Sequence, residues 1–236
     1  SIRNASLKEL SEIPGVGPEA ARLTSDAFMI DLHIDTFIPP RLVGYDLRKR
    51  HGTGVLGGRF FGHLDFPRVQ ASGLNAAMWS ITTNPFRFAR SRWKVFQRNL
   101  TRFRKLIAST QGDFVEVKTC KELEEAYAEG KHAVLFSIQG GNALAAAPEG
   151  ACSIPDDVVT RITLVHLTSS CYGVTSSPLR FGGWERGLTT KGHEFVEQCN
   201  ARRIFVDLAH INPAGFWDAL SVHDASQPVI VTHTGV

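Results

Sequence analysis

Three segments of this 236-residue chain each end an apolar run on a histidine. Phe28-Met29-Ile30-Asp31-Leu32-His33-Ile34-Asp35 closes on a His-x-Asp pair and leads into a loop with Pro39 and Pro40. Arg203-Ile204-Phe205-Val206-Asp207-Leu208-Ala209-His210 closes on one histidine, and Pro228-Val229-Ile230-Val231-Thr232-His233 on another. Residues two apart on a strand point to the same side, so His33 and Asp35 can reach one cation. One such segment is as well explained by a half-buried strand with a polar end; three in the same context point to ligands. Imidazole together with carboxylate suits zinc or another borderline divalent metal. In a parallel α/β barrel the C-terminal strand ends form the catalytic face. His33, Asp35, His210 and His233 are therefore expected to converge there in one metal-sized pocket.

The elements that would position them are legible as an alternation. Apolar runs predict strands near 28–34, 74–81, 133–138, 161–166, 204–208 and 229–232, and helical patterns fall near 92–109, 121–129, 190–201 and 212–220, the third capped by Thr190. Strands alternating with helices imply a parallel sheet with crossover helices. Six strands leave an eight-stranded barrel two units short, so a closed barrel is expected to need chain beyond Val236. Asp207 lies one residue out of phase for joining the ligands and is not counted among them.

Composition narrows the class. With 43% hydrophobic and 21% charged residues the chain can bury one large core. A net charge of +3 is too small to imply a nucleic-acid partner. Cys120, Cys152, Cys171 and Cys199 have no C-x-x-C spacing, which argues against a thiolate zinc site or a disulfide scaffold. No apolar run reaches the roughly 18 residues of a membrane span. The N-terminus carries no export leader, which favours a cytoplasmic protein; because it starts with Ser rather than Met, an exported form that has lost its leader stays open. Arg87 to Lys105 holds eight basic residues and no acidic one, with Phe88, Trp93, Phe96, Leu100, Phe103 and Leu106 at helical spacing. This reads as an amphipathic helix with a solvated basic face, attraction of an anionic partner being the alternative. The glycine-rich stretch Ile13 to Ala21 reads as a turn before the first strand rather than a phosphate-binding hairpin.

Taken in order, several motifs carry a resemblance. They are His33-x-Asp35, Asp65-Phe66-Pro67-Arg68, Gly73-Leu74-Asn75-Ala76-Ala77-Met78-Trp79-Ser80, Ile162-Thr163-Leu164-Val165-His166, Gly187-Leu188-Thr189, Val206-Asp207-Leu208-Ala209-His210 and Val231-Thr232-His233-Thr234. Together they resemble the membrane (renal) dipeptidase family, zinc peptidases of the amidohydrolase superfamily. The resemblance implies a distorted (β/α)8 TIM barrel over residues 25–236, here cut short after its sixth strand, with residues 1–24 as a helical extension. It implies hydrolysis of the amide bond of small dipeptides by a metal-activated water. It also implies a two-zinc site in which His33 and Asp35 hold the first ion, His210 and His233 the second, and a glutamate bridges both. His166 would sit over the site and polarise the scissile carbonyl or bind the oxyanion. A proton-shuttling aspartate and a carboxylate-binding arginine would follow residue 236. Trp184, in a glycine-rich loop, either lines the substrate pocket or covers a loop. Among partners, a dipeptide is expected and nucleic acid is not; a homodimer is one assembly left open.

At the bridging position this chain departs from the pattern, because Leu135-Phe136-Ser137-Ile138-Gln139-Gly140-Gly141 has Gln139 where the family has glutamate. A carboxylate offers two anionic oxygens; an amide offers one neutral oxygen and an NH₂ that cannot ligate a cation. Two close divalent cations repel unless anions lie between them. Gln139 is therefore a weak bridge. One zinc ion or two, altered metal demand, another substrate, or a catalytically silent relative are the outcomes that follow.

Overall fold

The computed structural model describes residues 27–35, 37–38, 44–52, 64–84, 86–178 and 186–233. The expected extension over 1–24, the turn at Ile13–Ala21 and Trp184 lie outside them. In chain order the main elements are β1 (Ile30–Ile34), α1 (Phe66–Ser72), β2 (Ala76–Thr82), α2 (Ala89–Ala108), β3 (Phe114–Glu116), α3 (Cys120–Ala128), β4 (His132–Gln139), β5 (Val159–Thr163), α4 (Thr190–Ala201), β6 (Phe205–Asp207) and α5 (Pro213–Val222). The strand order is β1-β2-β4-β5-β6, with β3 on β4, and the described ladders are parallel. The alternation thus delivers the parallel α/β sheet expected of it. The chain divides into two compact units, Ser1–Trp79 with Arg104–Leu135, and Ser80–Phe103 with Phe136–Val236.

In the first unit, β1 pairs with β2 and β3 with the start of β4. Its core packs Phe66, Trp79 and Phe114 edge to face or tilted. Aromatic rings favour such offset geometries over face-to-face stacking. Asp65 caps α1 by accepting from the Arg68 N–H, Pro67 occupies its first turn, and Gly73 ends it with φ 73°. That left-handed turn is one that glycine adopts without strain. A reciprocal Thr119–Glu122 capping box starts α3. Two expectations change here. β1 begins at Ile30 rather than near residue 28, and its Ile30 and Leu32 are exposed. β3 and α1 appear where no strand or helix was expected, three and seven residues being too short to show a period.

In the second unit, β4, β5 and β6 align Gln139 with Thr163 and Thr163 with Asp207. Phe136, Ile138, Ile162 and Val206 fill the core behind this line. The strand expected at 229–232 reduces to one parallel bridge, Asp207 with Ile230. The reason is local: the Thr232 N–H turns to the Asp207 carboxylate at 3.2 Å instead of a neighbouring carbonyl, so the ladder stops. α4 spans the expected range, but its cap is Thr189, whose side chain accepts from the Gly192 N–H, not Thr190. Along α2, Phe96, Leu100 and Phe103 are buried while Arg90, Lys94, Arg98 and Arg102 face solvent. All four cysteines are free thiols. No helix among the described residues is long and apolar enough to cross a membrane.

His132 opens β4 and is fully buried. The Trp79 indole N–H donates to its Nε2 at 3.1 Å, and Nδ1 lies 2.8 Å from the Leu74 carbonyl. An indole only donates, so Nε2 must accept and the ring is neutral with its proton on Nδ1. Burial pushes the pKa of His132 down to about 4, opposed in part by the hydrogen bond to Leu74. The unfolded chain takes up a proton near pH 6.5 that the folded ring refuses, so stability should fall as pH drops from 6.5 to about 4 and level off below. The loss is on the order of 3 kcal/mol at about 1.4 kcal/mol per unit. Urea midpoints across that window check this, and His132→Phe should flatten the slope.

Candidate metal centre

Arg161 is the one charged residue in β5, and both it and Asp207 at the end of β6 have fully buried side chains. Its Nη1 pairs with Asp207 Oδ2 and also donates to Thr163 Oγ1 at 3.1 Å; its Nη2 donates to Ser80 Oγ at 2.7 Å and Ser137 Oγ at 2.8 Å. Asp207 is saturated in turn. Oδ2 accepts from Thr163 at 2.9 Å and Thr232 at 2.8 Å, and Oδ1 from the Ala209 and Thr232 N–H groups at 3.0 and 3.2 Å. Burial would raise the Asp207 carboxyl, but the Arg161 guanidinium and these donors hold it below the usual carboxylate range.

On this anchor stands a cluster of nitrogen atoms. Thr232 Oγ1 lies 2.8 Å from His233 Nδ1. His233 Nε2 lies 2.7 Å from His210 Nε2, the two rings meeting edge to face with centroids 4.7 Å apart. The amide nitrogen of Gln139, 3% exposed, faces both, at 3.2 Å from His233 Nε2 and 3.5 Å from His210 Nε2. His210 reaches this position from a left-handed backbone, φ 65°, a conformation that costs a non-glycine residue on the order of 1 kcal/mol or more. Its carbonyl is pinned by the Ser176 N–H at 2.7 Å, while the neighbouring Thr175 hydroxyl donates to the His166 carbonyl. His166, three residues past β5, stacks edge-on against His210 with centroids 4.8 Å apart. Gly140 makes room for it, since a Cβ there would lie 3.1 Å from His166 Cβ; Gly141 makes room for the Leu164 carbonyl and the Tyr172 ring, each 2.7 Å from where its Cβ would be.

In the first unit His33 and Asp35 lie side by side as their spacing predicts, Nε2 to Oδ2 3.2 Å. The His33 N–H is held by Asp31 Oδ1 at 2.8 Å. Among the described residues no group of three or more His, Cys, Asp and Glu side chains stands together to hold a metal ion. At the heart of the His210–His233 cluster the expected carboxylate is Gln139. The remaining donors nevertheless suit a borderline divalent ion, since two imidazole nitrogens point at one spot and a half-turn of the Gln139 amide would bring its oxygen to bear. Sequence reasoning had not singled out Arg161, Thr163 or Thr232. A lone arginine inside the apolar run Val158-Val159-Thr160-Arg161-Ile162 was the available signal, because a buried cation demands a buried partner.

A model of the membrane dipeptidase family, peptidase family M19, matches residues 18–236. The chain belongs to the membrane dipeptidase family. A protein of Acinetobacter calcoaceticus named "Uncharacterized protein in PQQ-III 3'region" is 24% identical in an alignment 204 residues long that covers 75% of this chain and 61% of that one. Among solved structures, the family M19 metallo peptidase called dipeptidase AC superposes with a TM-score of 0.72 at 24% identity, covering 87% of this chain and 62% of its own. A metallo peptidase of Rhodobacter sphaeroides, liganded with a phosphinate mimic of the dipeptide L-Ala-D-Ala, gives 0.68 at 21% identity, covering 87% and 64%. The probable dipeptidase PvdM of Pseudomonas aeruginosa gives 0.70 at 14% identity, covering 92% and 54%. At these identities the structures share the fold, an α/β parallel sheet of the distorted TIM-barrel type. The chain spans less than two thirds of the length of each of these members and relatives of the family.

The buried ion pair carries the first test of this site. Arg161→Met leaves the Asp207 charge buried without its cation, which should cost about 3–5 kcal/mol of stability. Replacing both, as Arg161→Met with Asp207→Leu, should recover part of the loss. Chemical denaturation of the three proteins measures both effects.

Proposed function

We propose that the chain belongs to a metal-dependent hydrolase that cleaves the amide bond of dipeptides. The observation that carries this reading is the meeting of His210 and His233 through their Nε2 atoms at 2.7 Å, with Gln139 facing both. Family membership supports the reaction class, and the Rhodobacter sphaeroides relative was solved with a dipeptide mimic. His210 and His233 would hold one divalent ion, zinc by the nature of the donors. His33 and Asp35 would hold a second where two are bound. Such an ion, when bound, acidifies a water molecule and polarises a carbonyl near neutral pH.

The chain's own residues divide the remaining work. Arg161 and Asp207 keep the end of β6 and the Thr232–His233 segment in register. His166, whose ring packs against His210, would donate a hydrogen bond to the scissile carbonyl oxygen as it gains charge. Trp184 is proposed at the substrate on sequence grounds alone. Gln139 contributes a neutral amide where a carboxylate would have added one negative charge between two cations. That same residue favours a second reading, in which the barrel is kept for binding and turnover is lost.

Gln139→Glu separates the two. In the full-length protein supplied with zinc, the variant should hold more metal per chain and hydrolyse dipeptides faster than the parent. The gain should fall mainly on the ion held by His210 and His233, which has no carboxylate of its own. Elemental analysis and a dipeptide hydrolysis assay measure both; equal occupancy by two metals and equal turnover in the two proteins would show the carboxylate dispensable. No hydrolysis by either protein, with metal bound, supports the second reading.

A further inference from the structure

We infer that Asp207 and Thr232 act as positioning residues that fix His233 in a single tautomer, proton on Nδ1, and so aim its Nε2 lone pair into the candidate metal centre. The inference rests on the metal reading above for its purpose, but its logic is that of hydrogen-bond direction. Thr232 has one hydroxyl proton. Its oxygen lies 2.8 Å from Asp207 Oδ2 and 2.8 Å from His233 Nδ1. Asp207 is paired with Arg161 and receives donors on both oxygens, so it can only accept. The Thr232 proton must therefore go to Asp207.

The Thr232 oxygen is left as an acceptor. It takes one bond from Arg161 Nη1 at 3.3 Å, and the other must come from His233 Nδ1–H. A neutral imidazole with its proton on Nδ1 presents a lone pair at Nε2. The far side of the ring agrees. His233 Nε2 lies 3.2 Å from the Gln139 amide NH₂, which can donate to its single lone pair, and 2.7 Å from His210 Nε2. The order of polarity thus runs from a buried guanidinium through a carboxylate and a hydroxyl to the ring. Groups that orient a ligating histidine in this way commonly govern metal affinity by about 10–100-fold.

Thr232→Val keeps the side-chain shape and removes the hydroxyl; Thr232→Ser keeps the hydroxyl. The experiment uses the full-length protein with ¹⁵N-labelled histidines, first without metal and then titrated with zinc, with His233 signals assigned by their loss in His233→Asn. In the parent, His233 should show the Nδ1–H tautomer. In Thr232→Val it should shift toward a mixture of tautomers, and zinc affinity should fall about 10–100-fold, with the melting temperature within a few degrees of the parent. Thr232→Ser should restore both readouts. An Nε2–H tautomer in the parent, or a Thr232→Val protein with unchanged tautomer and unchanged zinc affinity, overturns the inference. A parent that shows the Nδ1–H tautomer, lost in Thr232→Val, yet takes up no zinc, supports the positioning and overturns the metal reading instead.

Discussion

One buried guanidinium holds the second unit together. Arg161 reaches Ser80 at the end of β2, Ser137 on β4, Thr163 beside it on β5 and Asp207 on β6, and touches Thr232 beyond. A charge taken out of water costs several kcal/mol unless it is paired and hydrogen-bonded. The partners that the two terminal nitrogens of Arg161 find come from five segments of chain brought to a common level. The cost of burial thereby becomes a constraint on register: a slip of one residue in any contributing strand would turn its hydroxyl or carboxylate to the opposite face. What sits just past that level, His166, His210 and His233, inherits its precision.

The same constraint holds the geometry around Gln139 without a carboxylate at that position. Gln139 is aligned with Thr163, and Thr163 with Asp207, so the amide occupies the position that strand pairing gives to β4's last residue. Nothing in the anchoring network depends on a charge there. The substitution therefore acts on electrostatics and not on architecture. His210 and His233 still meet beside it, and on the proposed metal reading what is missing is the anion that would keep two cations together.

Much of this was open to reading in the sequence, for identifiable reasons. The long elements announce themselves through period and apolar runs, as α2, α4 and β4 do. His33 and Asp35 share a side because alternation on a strand requires it. His210 and His233 meet as well, but alternation does not place them: His210 stands in a left-handed turn three residues past β6, and the segment before His233 is only a bridge at Ile230. Short elements escaped: β3 and α1 have too few residues for a pattern and are fixed by packing on Trp79 and by the Asp65 cap. The outer support of the site escaped as well. Arg161, Thr163 and Thr232 lie far apart in sequence from Ser80 and Asp207, and their common purpose is a tertiary fact. Asp207 was judged out of phase as a ligand; its side chain is instead committed to Arg161 and Thr232.

The central claim is that His210 and His233 form a metal site, and anomalous diffraction tests it most directly. Crystals of the full-length protein grown with zinc would be measured on either side of the zinc absorption edge. The account predicts an anomalous peak bonded to both Nε2 atoms at about 2.0–2.1 Å, the usual zinc–imidazole distance. A zinc-loaded crystal with no peak between these two rings, or with its zinc bound only elsewhere, would contradict it.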